Sequence, residues 1–357
     1  MARKSGRSRD AMNGNFFEDF ALGQSIRHAT PRTVTAGEVA LYTALYGSRF
    51  AVQSSATFAA AIGYRQAPVD DLLVFHIVFG KTVPDISLNA VANLGYAECR
   101  FLGPVYPGDT LSAQSEVIGL KENSSRKTGV VYVRSTGLRQ EDGARVLEYV
   151  RWVMVRKRDE AAAAPGDHVP KLAEALEPAA LGAACPPIDQ NAYDFELAGS
   201  PRRWSDYKEG EKLDHRDGMT VEEAEHQLAT RLYQNTARVH FNLFTEKDGR
   251  FGRRLIYGGH VMSLARALSF NGLANAFHIA AINGGRHVAP LFAGDTVFAW
   301  SQVLARAELP GRGDVGALRL RTIATKDRPC ADFPQKAGAE YDPAVILDLD
   351  YWVLIPR

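Results

Sequence analysis

The chain has little cysteine, almost no charge imbalance and no long hydrophobic run, and each shortage removes a class of protein. Its three cysteines, Cys99, Cys185 and Cys330, lie far apart, without C-x-x-C spacing or a nearby His pair. That argues against a disulfide framework or a zinc site and points to a reducing compartment, with the cytoplasm as the simplest expectation. A formal net charge of +1 gives no electrostatic case for nucleic acid or an anionic membrane surface, although a small anionic ligand needs only a local cluster of Arg or Lys. No run of about 18 apolar residues occurs, and no apolar core follows the basic start M-A-R-K-S-G-R-S-R-D, so neither a membrane span nor a signal peptide is expected. A Gly-rich phosphate loop, a metal-ligand constellation and a nucleophile elbow are also absent from the sequence. Residues 1–12 read as a flexible tail.

What is present is a repeat. A chain of 357 residues, 46% hydrophobic and 23% charged, is an ordinary folded protein of about two domains. Phe17-Glu18-Asp19-Phe20, then Gly23 and Ile26, recur as Trp204-Ser205-Asp206-Tyr207, then Gly210 and Leu213, an offset of 187 residues (204 − 17). The same offset relates Thr33-Val34 to Thr220-Val221, Glu38 to Glu225, Leu41 to Leu228, Leu45-Tyr46 to Leu232-Tyr233 and Val69 to Ile256. Further on, C-R-F-L-G-P-V-Y-P-G-D-T (Cys99 to Thr110) matches G-R-H-V-A-P-L-F-A-G-D-T (Gly285 to Thr296) at 186 (294 − 108). Both copies close on a strand-like run, L-E-Y-V-R-W-V-M-V and L-D-L-D-Y-W-V-L-I. The chain is therefore two copies of one unit, residues 13–157 and 204–357. Between them, 158–203 has the Ala/Pro-rich composition of a linker, with a short helix expected around Lys171 to Leu176.

Each copy opens with an aromatic turn and a short helix (Ala36 to Tyr46; Glu222 to Gln234) whose apolar residues recur at three and four. An Ala-rich helix, Thr57 to Ile62, follows in the first copy. Next comes a run apolar nearly all round (Leu72 to Phe79; Val261 to Phe270), which belongs in a core. The remainder reads as strands, Ala97 to Phe101, Thr110 to Ile118, Lys127 to Thr136 and Arg145 to Val155 in the first copy, separated by P-G-D, E-N-S-S and Q-E-D-G turns. This is an α+β unit in which an antiparallel sheet wraps a buried helix. Two such sheets can continue edge to edge, and the edges left open point to a homo-oligomer whose number the sequence does not set.

One stretch concentrates chemistry. L-Y-Q-N-T-A-R-V-H-F-N (Leu232 to Asn242) sets Asn235 and His240 five residues apart, just upstream of the glycine-started segment Gly258 to Phe270. A lone His is more often a hydrogen-bonded structural residue than a proton carrier. The repeat bears on that choice, because the matched positions in the first copy are Ser48 and Gln53 (235 − 187 and 240 − 187). Asp70 and Asp71 read as helix N-cap or first-turn charges, His76 as a hydrogen-bonded core residue, and the two G-D-T turns as hairpin geometry.

These motifs and their order resemble the MaoC-like dehydratase family, whose hydratases carry G-D-x-N-P-x-H, later P-I-x-H-G at the start of a central helix, then F-x-x-P-x-x-x-G-D. Gln234 to His240 (Q-N-T-A-R-V-H) falls on the first, Leu255 to Gly259 (L-I-Y-G-G) on the second and Pro290 to Asp295 (P-L-F-A-G-D) on the third. The resemblance covers both copies. It implies a double hot-dog fold, two curved antiparallel sheets each around a central helix, acting on a CoA thioester with no cofactor beyond the CoA that the substrate carries. Asn235 stands where the family has Asp, and Ser48 and Gln53 leave the first copy without either group, so the resemblance implies an active second half beside a silent half that shapes the acyl tunnel. The N-terminal F-F-E-D-F-x-x-G-Q and the Leu232 to Asn242 stretch are similar, more narrowly, to members that hydrate mesaconyl-CoA reversibly to β-methylmalyl-CoA, and imply that reaction. An acyl-CoA thioesterase on the same fold and a non-catalytic acyl-CoA-binding module are the competing readings.

Adding water across a double bond conjugated to a thioester needs a base for the water, an acid or relay for the α-carbon, and stabilisation of the thioester oxygen. His240 suits the proton exchange, because imidazole titrates near working pH. The backbone N–H at Gly259 suits polarising the carbonyl, and Gly258 beside it lets the thioester approach the backbone. Asn235 takes up no proton at useful pH but can position a water through one acceptor and two donors. Glu246 or Asp248 is the nearest carboxylate that would replace the family's Asp, although both read more simply as part of the turn T-E-K-D-G-R. A dicarboxylic acyl group needs a cation, and Arg238, Arg254 and Arg286 flank the three motifs. Arg286 has a counterpart at Arg100 in the first copy, which favours a structural role, and Arg238 reads equally as a solvated charge.

Overall fold

The structure is a computed structural model describing residues 14–357; the tail expected at 1–12 lies outside the described residues. The first half runs β1 (Ser25–Thr33), α1 (Ala36–Tyr46), α2 (Ala51–Ser54), α3 (Ala56–Ala61), α4 (Asp71–Thr82), β2 (Ala90–Phe101), β3 (Thr110–Glu122), β4 (Thr128–Arg139) and β5 (Arg145–Arg156). The second runs β6 (Lys212–Asp214), β7 (Met219–Thr220), α5 (Glu223–Leu232), α6 (Arg238–Phe241), α7 (Leu243–Glu246), α8 (Gly258–Leu268), α9 (Phe270–Leu273), β8 (His278–His287), β9 (Thr296–Leu309) and β10 (Arg312–Lys326). A minor hairpin of β11 (Lys336–Ala337) and β12 (Glu340–Tyr341) precedes the last strand, β13 (Val345–Pro356).

Local chemistry sets the helix ends. A capping box of Thr35 and Glu38 starts α1, and Gly47, with φ of +58°, ends it in the left-handed conformation that a β-carbon disfavours. Asp70 caps α4 by accepting from Leu72 N at 2.9 Å, as its place before the apolar run implies. All twelve residues of α4 are buried. In both G-D-T turns the Asp carboxylate accepts a backbone N–H at 2.9 Å, Asp109 from Tyr106 and Asp295 from Phe292, so both copies use them as turn geometry.

The strands outrun their apolar signal. β3 continues through Lys121 and Glu122, which pair with Val130 and Gly129. β2 begins at Ala90, where small residues carry no alternation but still pair with β5. Ladder hydrogen bonds, which the pattern of side chains does not report, decide these ends.

The large strands form one antiparallel sheet in the order β1-β3-β4-β5-β2-β8-β13-β10-β9-β6. The halves join at β2 and β8, with Tyr96 opposite Gly285 and Arg100 opposite Ala281, which is the edge-to-edge continuation the repeat suggests. Helices α4 and α8 cross at the centre. Tyr46 and Tyr233 meet hydroxyl to hydroxyl at 2.5 Å, and His76 shares a hydrogen bond with Ser263 at 2.9 Å; both pairs are 187 residues apart. Matched residues of two copies touch only on the axis that relates them, so a pseudo-twofold axis passes through these contacts. One contiguous apolar core extends across both halves.

Lys171 to Leu176 is not a helix. Ala173 N is bonded to the Glu98 carboxylate (3.0 Å) and Leu176 N to Asn283 Oδ1 (2.9 Å), so the donors a helix needs are taken by side chains of the sheet. Beyond it, Leu181, Ala184, Cys185, Ile188 and Tyr193 are buried. There Asp189 N bonds to Ile62 O at 3.0 Å and Tyr193 packs edge-on against Phe58. The linker also bonds to the second half, Ile188 N to Asp314 at 2.8 Å and Arg312 to Cys185 O at 3.0 Å, so it is a connector packed across both halves.

Candidate active site

Three sequence stretches separated by up to fifty residues are stitched together by three hydrogen bonds. His240 Nδ1 bonds to Leu255 O at 2.9 Å, Leu255 N to Val239 O at 3.0 Å, and Ile256 N to Leu291 O at 3.0 Å. They bring His240, the start of α8 and the P-L-F-A-G-D turn to one place. A carbonyl only accepts, so the Nδ1 carries the proton and the lone pair of the neutral ring sits on Nε2. Burial pushes the His240 imidazole down to about 4, against the opposing pull of the Leu255 carbonyl. The group is therefore a neutral base across the physiological range.

Asn235 is buried, and its Oδ1 accepts from Ala237 N at 3.0 Å, a turn that opens α6 and so aims His240. That leaves Asn235 the Nδ2 protons and one acceptor lone pair for a water. Glu246 is engaged with Thr245 Oγ1 at 3.3 Å and Asp248 is exposed, as expected of a polar turn.

Helix α8 begins Gly258-Gly259, and its first N–H groups have no intrahelical partner. His226 anchors this start by accepting the N–H of Tyr257 at 2.9 Å. A β-carbon at Gly258 would lie 2.4 Å from the His287 ring, and one at Gly259 would lie 2.3 Å from the Tyr257 ring and 2.5 Å from the His76 ring. The glycines are thus demanded by the protein's own packing, a reason additional to the approach of a thioester.

His287 is a site residue that the sequence reasoning passes over. Its ring rests on Gly258, its Nε2 is 3.2 Å from Tyr96 OH of the first half, and burial, then the neighbouring His240, pushes it down to about 4. Its matched position is Phe101 (287 − 186), so His287, like His240, is a histidine that only one copy carries. His76 lies fully buried beside Gly259, hydrogen-bonded as foreseen, and burial pushes it down to about 3.

The three expected cations are placed differently. Arg254 is committed to Glu223 at 2.9 Å and to Gln227. Arg238 is exposed on α6. Arg286 is exposed too, 5.6 Å from the Tyr341 ring, whereas its counterpart Arg100 pairs with Glu148 at 2.6 Å; the two copies do not use this arginine alike.

The first half supplies an internal comparison. Leu72 N, matched to Gly259 N, is occupied by Asp70 Oδ1. Asp71, matched to Gly258, is bonded to His278 Nδ1 (2.9 Å) and Ile279 N (2.8 Å), well beyond a first-turn charge. Gln53, in the place of His240, bonds to Phe277 O at 2.7 Å. At this helix start the Asp70 carboxylate takes the Leu72 N–H, whereas among the described residues no side chain caps the start of α8.

A family profile described as mesaconyl-CoA hydratase matches residues 2–338. The chain belongs to the mesaconyl-CoA hydratase family, which makes it a hydro-lyase. It is 65% identical over 347 residues to the β-methylmalyl-CoA dehydratase of Chloroflexus aurantiacus, covering 96% of this chain and 97% of that one. It is 61% identical over 345 residues to the mesaconyl-CoA hydratase of Cereibacter sphaeroides, covering 96% and 98%. A crystal structure described as a MaoC domain protein dehydratase from Chloroflexus aurantiacus superposes with a TM-score of 0.94 at 63% identity, covering 98% of this chain and 99% of that one. A Mycobacterium tuberculosis protein with a double hotdog fold superposes with a TM-score of 0.80 at 25% identity, covering 97% and 99%. The fold of this family member is the double hotdog.

Proposed function

We propose that the chain catalyses the reversible addition of water to mesaconyl-CoA to give β-methylmalyl-CoA. The observation that carries this is His240, a neutral imidazole with its Nδ1 held by Leu255 O, beside the uncapped start of α8. His240 Nε2 takes a proton from a water that Asn235 positions, and the hydroxyl adds to the β-carbon. The thioester oxygen, negative as the enolate develops, is met by the N–H of Gly259 with Gly258 adjoining, where the helix dipole adds its positive end. The imidazolium returns the proton to the α-carbon, so water is added across the double bond with no net change in the protein.

The CoA moiety carries phosphates and favours cations at the mouth. Between residues 238 and 253, Arg238, Lys247, Arg250 and Arg253 are exposed or partly so and have no carboxylate partner among the described residues. Arg238 suits this role better than pairing with a buried acyl carboxylate.

Incubation with mesaconyl-CoA tests the reading, with the enoyl-thioester absorbance followed and products resolved by mass and stereochemistry. Conversion to the hydrated thioester is expected. Release of free CoA without that product would establish the thioesterase instead, and binding without turnover the non-catalytic module.

A further inference from the structure

Arg151, on β5 of the first half, is fully buried, and no carboxylate pairs with it among the described residues. Its guanidinium reaches only hydroxyls, with Nη2 2.8 Å from Thr82 Oγ1 and both Nη atoms 3.3 Å from Ser87 Oγ. Nε is buried without any partner. So are the Tyr149 hydroxyl two residues away and both amide atoms of Asn93 on the paired strand β2. A buried cation without an anion is costly, because neither water nor a counter-charge replaces its hydration.

Contacts place Arg151 at the edge of the working site. Its register partner on β2 is Tyr96, whose hydroxyl is 3.2 Å from His287 Nε2. The Phe79 ring beneath its guanidinium (4.2 Å) is 5.8 Å from the Tyr257 ring, which in turn is 5.4 Å from that of His240. Two chains of contact, one through Tyr96 and His287 and one through Phe79 and Tyr257, thus link Arg151 to the start of α8.

The two copies sharpen the point. The residue matched to Arg151 is Tyr351 (offset 352 − 152 = 200 in the closing strands), and it bonds to Thr322. The second half has a buried arginine of its own, Arg266 on α8, which bonds to Ser269 and Ala276 O and lies in the field of Asp70 and Asp71 at the start of α4. Two carboxylates of the protein thus lend Arg266 a counter-charge at a distance, whereas only tyrosines act on Arg151. We propose that Arg151 binds the free carboxylate of the dicarboxylic acyl group and so sets the enzyme's preference for it over a monocarboxylic enoyl-CoA. This rests on the proposed hydratase function and locates the acyl end of that site.

The test compares mesaconyl-CoA with crotonyl-CoA for the wild-type chain, Arg151→Met and Arg151→Lys. Arg151→Met should lose about a hundredfold or more in kcat/KM for mesaconyl-CoA while crotonyl-CoA changes by less than about threefold, with Arg151→Lys in between. Equal losses, or none, overturn the inference. A wild-type chain inert toward mesaconyl-CoA defeats the functional reading instead. Should the Met variant fail to fold, inhibition of wild-type crotonyl-CoA hydration decides: free mesaconate should inhibit at much lower concentration than free crotonate, and equal inhibition rejects the assignment.

Discussion

At His240 the decisive atom is Nε2, left with its lone pair because Leu255 O holds the other nitrogen. Replacing His240 with Ala should reduce turnover by about 10²-fold to 10⁴-fold while the melting temperature stays close to wild type; retention of most activity would reject its role. Since burial holds His240 and His287 near 4, kcat/KM should stay level from neutral pH down to about 5 and fall only as the base takes up a proton near 4. A break near the ordinary imidazole value of 6.5 would contradict that environment. Gly258→Ala should cost activity by pushing aside the His287 ring, read as a fall in kcat with the chain still folded. His240 is legible in the sequence because it sits in a motif and has no His in the other copy. Arg151 is not, because what marks it is a missing partner, and only packed coordinates reveal that.

Among the elements, the central helices and most strands are legible from periodicity, since burial on one face or all round leaves its mark on composition. The early start of β2 and the path of residues 158–203 are not, because backbone donors bonded to distant side chains leave none. Those residues cover α3, and Tyr193 is their anchor, buried between Phe58 and Phe277. Tyr193→Ala should therefore destabilise the chain by about 3–5 kcal/mol, the cost of a large core truncation, as measured by chemical denaturation. A change under about 1 kcal/mol would mean that the segment is only a tether.

Over the whole molecule, burial lowers the imidazoles of His76, His215, His226, His240, His260 and His287. Each folded value lies below the unfolded one of 6.5, so the unfolded chain binds protons first. Stability is fully present above about 6.5 and is lost as pH falls, at up to about 1.4 kcal/mol per pH unit for each such group. The melting temperature should therefore drop steeply between pH 7 and pH 5, and a flat profile would mean that these rings are hydrated. The axis through Tyr46 and Tyr233 has a different consequence. In a dimer of two identical chains, an Asp installed at the helix start would shut both sites together, and a lone buried Arg would burden both. Here the partners share one covalent chain, so each such change is made once, and the two helix starts that the axis relates are free to differ.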